Sequence, residues 1–336
     1  MPKAFISGCA GHTLSPDERN FFSRERPWGL ILFARNCSTP EQIASLIAEF
    51  RNCVGHEDAP VLIDQEGGRV QRLGPPHWQA YPAGQAFGVL DGQSPGLGVE
   101  TARNVSRMIA EDLRALGINV DCLPVLDVPQ DDGHDIIGDR AYGTTPDQVA
   151  RIGRAVCEGL RAGGVLPIIK HIPGHGRARS DSHAALPVVE ASKEELREVD
   201  FPPFKELNDM PMAMTAHIVY SAFDPENPAT QSAIVINEVI REELGYDGLI
   251  MTDDLSMKAL TGSFGERAQK SLKAGCDMVL HCNGEMTEME AVAAATPELA
   301  GDALRRANAA LDWADEPAPF DVNQAMVWLE RARMAV

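Results

Sequence analysis

No run of about 18 consecutive apolar residues occurs in this chain, so nothing in it reads as a membrane-spanning helix. Cations are scarce: 30 Lys and Arg stand against 49 Asp and Glu, a formal net charge of -19. Nucleic acid and anionic membranes both demand a basic face, which so acidic a chain is poorly placed to present. The 7 cysteines (Cys9, Cys37, Cys53, Cys122, Cys157, Cys276 and Cys282) are odd in number and form no C-x-x-C pair. That usage suits a reducing compartment, and the expectation is a cytoplasmic protein. Internal repeats and low-complexity tracts are also missing.

What remains is the composition of an ordinary enzyme. Hydrophobic residues make up 44% and charged residues 24% of 336 positions, enough to bury a large core in two ordinary domains or one large α/β barrel. Short apolar runs recur along the chain: Ala4–Ile6, Gly29–Phe33, Val61–Ile63, Asn119–Leu123, Pro167–Ile169, Met212–Thr215, Gly248–Met251 and Met278–Leu280. Helix-period segments separate most of them, beginning near Pro40, Thr101, Asp147, Leu196, Ile234 and Glu266. Parallel strands buried on both faces read as unbroken apolar runs, so the pattern predicts an α/β fold, a (β/α)8 TIM barrel in a single domain spanning 1–336. The alanine-rich segment from about 285, interrupted by Pro317 and Pro319, is expected to be helical and to pack outside the barrel. Between Gly67 and Gly98 lies a long Gly- and Pro-rich segment, read as a functional loop.

The densest chemistry runs from Lys170 to His183, K-H-I-P-G-H-G-R-A-R-S-D-S-H, directly after an apolar run. Asp181 and His183 are two residues apart, so on an extended segment the carboxylate can orient the imidazole and stabilise its protonated form, a credible proton-transfer pair. Solvated loop residues are the plain alternative. A zinc site from His171, His175, Asp181 and His183 is the other, but its spacing is loose and no H-E-x-x-H helix or thiolate pair accompanies it. The alternative for Lys170, at a strand end, is a Schiff-base lysine.

A barrel would bring the carboxyl ends of its strands to one mouth, and Asp64, Lys170, His171, His217, Asp253 and His281 all occupy such ends. Asp253 and Asp254 alternate along an extended strand, so one faces the mouth and the other caps the next element; periodicity leaves the choice open. A carboxylate on one strand end and a His-Asp pair on another suit glycosyl transfer. Asp64 before two glycines allows close approach of a polyol whose hydroxyls it would accept.

These motifs together resemble glycoside hydrolase family 3, and within it the single-domain bacterial β-N-acetylglucosaminidases. The match runs through Asp64-Gln65-Glu66-Gly67-Gly68-Arg69-Val70, Gly138-Asp139-Arg140, Lys170-His171-x-Pro173-Gly174-His175-Gly176 with Asp181-Ser182-His183, and Thr252-Asp253-Asp254-Leu255-Ser256-Met257. The resemblance implies a retaining mechanism with Asp253 as nucleophile and His183, assisted by Asp181, as acid/base on a flexible loop. It also implies that Asp64, Arg72, Arg140, Lys170 and His171 bind the sugar ring, and it implies no metal and no cofactor. The substrate it implies is a saccharide or muropeptide, N-acetylglucosaminyl-1,6-anhydro-N-acetylmuramic acid with or without a peptide, met during cell-wall recycling. Ile172, where Phe is commoner, and Cys37, where an aromatic is commoner, depart from the family pattern. Phosphorolysis by the same residues is the rival reaction, because a histidine acid/base leaves room for anionic phosphate; a catalytically silent sugar-binding protein is the rival class. The segment from Gly174 to Ser182 is expected to move when empty and close over bound sugar.

Overall fold

In a computed structural model of the chain, residues 1–130, 133, 135–178 and 186–335 are described. Eight parallel strands close into a barrel: β1 (Lys3–Ser7), β2 (Pro27–Leu32), β3 (Val61–Ile63), β4 (Val120–Asp121), β5 (Leu166–Ile172), β6 (Met212–Thr215), β7 (Leu249–Asp254) and β8 (Met278–His281). Each pairs with the next in sequence, and β8 closes on β1 with Phe5 opposite Val279 and Ser7 opposite His281. The expected (β/α)8 fold is therefore the observed one.

Alternate residues of these strands enter different cores. Ile6, Ile31, Leu62, Ile168, Met212, Met251 and Leu280 belong to the cluster inside the barrel. Phe5, Leu30, Val61 and Val279 pack outward against helices on one side, and Ile169, Ala213 and Ile250 do so on the other. Neither face meets water, which is why the strands carry no polar alternation.

The outer layer begins with α1 (Pro16–Glu25) and α2 (Pro40–Val54). Ser15 starts α1 with a reciprocal cap: its hydroxyl accepts from Glu18 N at 3.2 Å while the Glu18 carboxylate accepts from Ser15 N at 2.7 Å. α2 buries Ile43, Leu46, Ile47, Phe50 and Val54 on one face, each stabilising the fold by roughly 1.5–3 kcal/mol. It stops at Gly55, whose φ of 70° suits a residue without a Cβ. Then come α3 (Gln85–Gln93), α4 (Leu97–Ala115), α5 (Pro146–Ala162), α6 (Pro202–Glu206), the π-wound α7 (Val235–Glu243), α8 (Phe264–Ala274) and α9 (Met286–Ala295). α6 is preceded by Lys193–Glu195 and a π-wound turn, Leu196–Asp200.

Two of these helices have no counterpart among the helix-period segments of the sequence. α1 buries only Glu18, Phe21 and Phe22, too few positions to write a 3.6-residue pattern. α3 interrupts the segment read as a loop; it is nine residues long and contains two glycines, Gly88 and Gly92, which mask its helical character. After α9, α10 (Gly301–Leu311) sets Ala307 and Ala310 against the barrel-interior cluster, and α11 (Val322–Arg333) packs on α4 through the buried face Ala325, Leu329 and Ala332. Among the described residues no helix is long and apolar enough to cross a membrane.

Candidate active site

Strand parity puts the polar residues in place. Leu166 and Ile168 point into the barrel, and Lys170 continues that register two residues on; Leu249 and Met251 do the same for Asp253. At the carboxyl end of the strands, Asp64, Glu66, Arg72, Arg140, Lys170, His171 and Asp253 line one cavity of about 270 Å³, walled by Phe33, Met214 and Leu280. That volume is at the small end of ligand sites. A second hollow of about 200 Å³ at the opposite end, lined by Trp28, Val54, Leu299 and Leu304 among others, gathers no carboxylate. Chemistry belongs at the first.

The sequence between β3 and α3 builds one wall as a tight hairpin, Gln65–Gly67 pairing antiparallel with Val70–Gln71. Gly67 (φ 95°) and Gly68 (φ 57°) make the turn; a Cβ on Gly67 would lie 2.2 Å from the Pro82 carbonyl oxygen. The buried Gln65 amide pins the hairpin, its oxygen accepting from Arg72 N and Leu73 N at 3.0 Å and its nitrogen donating to the Leu73 carbonyl at 2.8 Å. Asp64, Glu66 and Arg72 are thereby directed at the cavity.

There they form an alternating chain of charge. Arg72 Nη2 donates to Asp64 Oδ2 at 3.1 Å, and Lys170 Nζ donates to Asp64 Oδ1 at 2.9 Å. The same ammonium lies 2.5 Å from Glu66 Oε1, and Arg140 grips Glu66 in a fork at 2.8 and 2.9 Å. Burial alone would raise both carboxyls, yet their cations hold Asp64 far below the usual carboxylate range and Glu66 down at about 2. Burial likewise works against the Lys170 ammonium, and Asp64 and Glu66 raise it above an ordinary lysine. A permanently charged Lys170 has no lone pair for a Schiff base.

His171 follows through a cis peptide. Asp127, fully buried, accepts from the His171 ring Nδ1 at 2.7 Å, from His171 N at 3.2 Å and from His175 N at 2.6 Å. With Nδ1 committed as donor, His171 presents Nε2 to the cavity. Burial would raise Asp127, and the His171 ring brings it to about 2; burial, assisted by the nearby His171, lowers His175 to about 4 and keeps that ring neutral.

Asp254 also borders the cavity, but its carboxylate caps the next turn: its Oδ1 accepts from Ser256 N at 3.0 Å and from Cys282 N at 3.1 Å, and its Oδ2 takes the Ser256 hydroxyl. Its backbone N donates to Asp253 Oδ1 at 2.7 Å, while its carbonyl accepts from His217 Nε2 at 3.1 Å. Burial lowers the His217 pKa, and the neutral ring accepts the Thr230 hydroxyl on Nδ1 at 2.7 Å. His217 is therefore a brace for the Asp253–Asp254 peptide, and neither it nor His281 lines the cavity. Both sit at strand ends, as expected, but in the shell behind.

Of the sequence candidates, Asp64, Arg72, Arg140, Lys170, His171 and Asp253 meet in one cavity. Asp181 and His183 lie outside the described residues, as do 179–182 of the segment expected to close. The four-ligand zinc grouping therefore has two members in that stretch, and among the described residues no three His, Cys, Asp or Glu side chains could hold a metal ion. Of the two departures, Ile172 is fully buried at the end of β5 and Cys37 is half-buried near Arg72. Sequence reasoning missed Glu66 and Asp127 as site residues. Glu66 lay in the quoted motif, and the signal for it was an acid two residues from Asp64 in a glycine hairpin.

Comparison with known proteins places this geometry. The glycosyl hydrolase family 3 N-terminal domain matches residues 12–308. A β-hexosaminidase of Methylococcus capsulatus is 38% identical over 278 residues, 81% of this chain and 80% of that protein. One from Idiomarina loihiensis is 32% identical over 327 residues, 96% of this chain and 97% of its own. Among solved structures, NagZ from Neisseria gonorrhoeae in complex with N-trifluoroacetyl-D-glucosamine superposes with a TM-score of 0.86 at 30% identity, covering 99% of this chain and 97% of that one. A barrel with this charged mouth, matched along nearly its whole length, belongs to glycosyl hydrolase family 3, a family of glycosidases.

Proposed function

We propose that the chain is a retaining exo-β-N-acetylglucosaminidase that removes terminal β-linked N-acetylglucosamine from peptidoglycan fragments in the cytoplasm. The observation that carries this reading is a single cavity in which one wall binds hydroxyls and another presents a carboxylate. On the first wall, Asp64 offers a remaining lone pair on each oxygen, and Lys170 and Arg140 retain N–H donors beyond those used by Asp64, Glu66 and Ile136. On the second stands Asp253, aligned by the Asp254 N–H. The β-hexosaminidase relatives and the N-trifluoroacetyl-glucosamine bound in the gonococcal structure support the N-acetyl sugar.

In this mechanism the Asp253 carboxylate attacks the anomeric carbon as the glycosidic C–O bond breaks, and protonated His183, oriented by Asp181, delivers its proton to the leaving oxygen. The neutral imidazole then takes a proton from water, whose oxygen displaces Asp253 and releases the sugar with its configuration retained. The preferred leaving group is N-acetylmuramyl in its 1,6-anhydro form, with or without a peptide stem.

The test is product analysis by NMR through the first turnovers of an aryl β-N-acetylglucosaminide and of a muropeptide, in buffers with and without phosphate. Initial release of the β-anomer of free N-acetylglucosamine from both is expected. The α-anomer would refute retention, sugar 1-phosphate would replace hydrolysis by phosphorolysis, and turnover of the aryl glycoside alone would refute the muropeptide assignment.

A further inference from the structure

The cavity brings two like charges to one wall. Lys170 Nζ and Arg140 Nη2 both contact Glu66 Oε1, at 2.5 and 2.8 Å, so the two nitrogens lie within two hydrogen-bond lengths of each other. Lys170 is 2% exposed and Arg140 only 11%, so water can do little to screen their repulsion. Without Glu66, three cations, Arg72, Lys170 and Arg140, would share Asp64 as their one carboxylate in the network. With it, each ammonium or guanidinium has an adjacent countercharge.

We infer that Glu66 is a positioning residue of the sugar subsite: it neither binds sugar nor reacts, but permits Lys170 and Arg140 to converge and fixes which of their N–H groups face the ligand. Glu66 is almost fully committed. Its Oε1 accepts from Arg140 Nη2 at 2.8 Å and lies 2.5 Å from the Lys170 ammonium, and its Oε2 accepts from Arg140 Nε at 2.9 Å, so both oxygens are engaged by cations. The consequences for the donors follow by counting. One Lys170 proton goes to Asp64 Oδ1 and the Glu66 ion pair holds a second side of the ammonium, which leaves N–H capacity for a hydroxyl oxygen. Arg140 spends Nε and one Nη2 proton on Glu66 and one Nη1 proton on the Ile136 carbonyl, keeping two. A flexible ammonium and a long guanidinium stem thus become fixed donors beside the two Asp64 acceptors.

The Gln65–Gly67 hairpin makes this control possible, because the Gln65 amide ties the turn to Arg72 and Leu73 and gives Glu66 a rigid base. An amide at position 66 keeps the shape but faces two cations with donors of its own. Since the donors meet the ground state and the transition state alike, the loss should fall on KM.

This inference rests on the N-acetylglucosaminide reading, and the experiment separates the two. Wild type, Glu66→Gln, Arg140→Gln and the double variant are compared by kcat and KM on an aryl β-N-acetylglucosaminide, by calorimetric Kd for N-acetylglucosamine, and by Tm. Glu66→Gln should raise KM and Kd together by about 10- to 100-fold, the range for losing a directed charged donor, with kcat changed less than about fivefold. Because Glu66 acts through Arg140 as well as Lys170, adding Glu66→Gln to Arg140→Gln should raise KM and Kd by a clearly smaller factor than Glu66→Gln does in the wild type. Unchanged KM, a loss confined to kcat, or fully additive losses would overturn the inference. If Glu66→Gln does not fold, Glu66→Asp, which keeps the charge but withdraws it by one methylene, should still raise Kd, and a wild-type Kd in that variant would overturn it equally. A wild type that neither binds N-acetylglucosamine nor turns over the glycoside would overturn the substrate reading, and this inference with it.

Discussion

Asp121, at the end of β4, is completely buried, and its register sets it opposite Ile63 while Val120 and Cys122 face the barrel interior. Its Oδ1 accepts from Gln65 N at 3.0 Å, and its Oδ2 has no hydrogen-bond partner among the described residues. Burial is the main reason its carboxyl is raised from 3.8 to about 8; Asp64 and Glu66 add to the effect, while the Gln65 N–H and Lys170 oppose it. In the folded protein at neutral pH this group carries its proton, and in the unfolded chain it does not. The folded state therefore binds more protons between pH 3.8 and 8, and stability falls as pH rises through that window. Below 3.8 the group has no effect, and above 8 its penalty is constant.

The size follows from 1.36 kcal/mol for each unit between the two values, up to about 4 kcal/mol at pH 7. Asp121→Asn removes the titration while keeping an oxygen for Gln65 N. The assay is chemical unfolding monitored by circular dichroism at pH 5, 6, 7 and 8. Wild type should lose stability with a contribution from this group approaching 1.36 kcal/mol per unit of pH, and Asp121→Asn should lack that contribution, so that the variant gains on wild type steadily toward pH 8. Parallel pH profiles for the two proteins, or a constant offset between them, would refute the claim that Asp121 is protonated in the fold.

The remaining expectations concern the site and its frame. Asp253→Asn should lower kcat on an aryl β-N-acetylglucosaminide on the order of a thousandfold or more while N-acetylglucosamine still binds, because an amide cannot form the covalent intermediate; turnover near wild type would remove Asp253 from the mechanism. Lys170→Met leaves Asp64 and Glu66 with one arginine each, so the cost should sit near the low end for breaking a buried pair, about 3 kcal/mol. With an unfolding entropy near 0.7 kcal/mol/K for a chain of this length, that is a fall in Tm of about 4 °C by differential scanning calorimetry, and an unchanged Tm would mean the network adds nothing. Glu66 has a depressed folded-state pKa, so its stabilising contribution is present above its ordinary value of 4.5 and is lost as pH falls toward about 2. Acid unfolding of Glu66→Gln should accordingly be shallower than that of wild type. Asp127→Asn puts an amide where three donors converge, so His171 should change tautomer, visible by NMR of its ring nitrogens, and sugar affinity should fall about 10- to 100-fold.

How much of this was legible in the sequence depended on whether the cause was local. The eight strands were, because burial on both faces leaves an apolar run such as Pro167–Ile169 that needs no knowledge of its neighbours. The mouth residues were as well, since a charged residue directly after such a run, like Asp64 or Lys170, is carried to the carboxyl end by the strand itself. The choice between Asp253 and Asp254 was not a local question. It depends on Leu249 and Met251 facing inward, and on Asp254 finding Ser256 and the Cys282 N–H of the neighbouring strand's end. Glu66, Asp127 and Asp121 were hidden for the same reason at longer range. Glu66 meets Arg140 across 74 residues, Asp127 meets the His171 ring across 44, and Asp121 meets Gln65 across 56. Each is a carboxyl whose state is set by what the barrel places against it: cations make Glu66 a fixed anion, an imidazole does the same for Asp127, and burial, with neither within hydrogen-bond reach among the described residues, leaves Asp121 protonated. Three acids indistinguishable in a one-dimensional reading thus acquire different charges from closure of the sheet, and the charge each holds decides how the charged wall of the cavity is built.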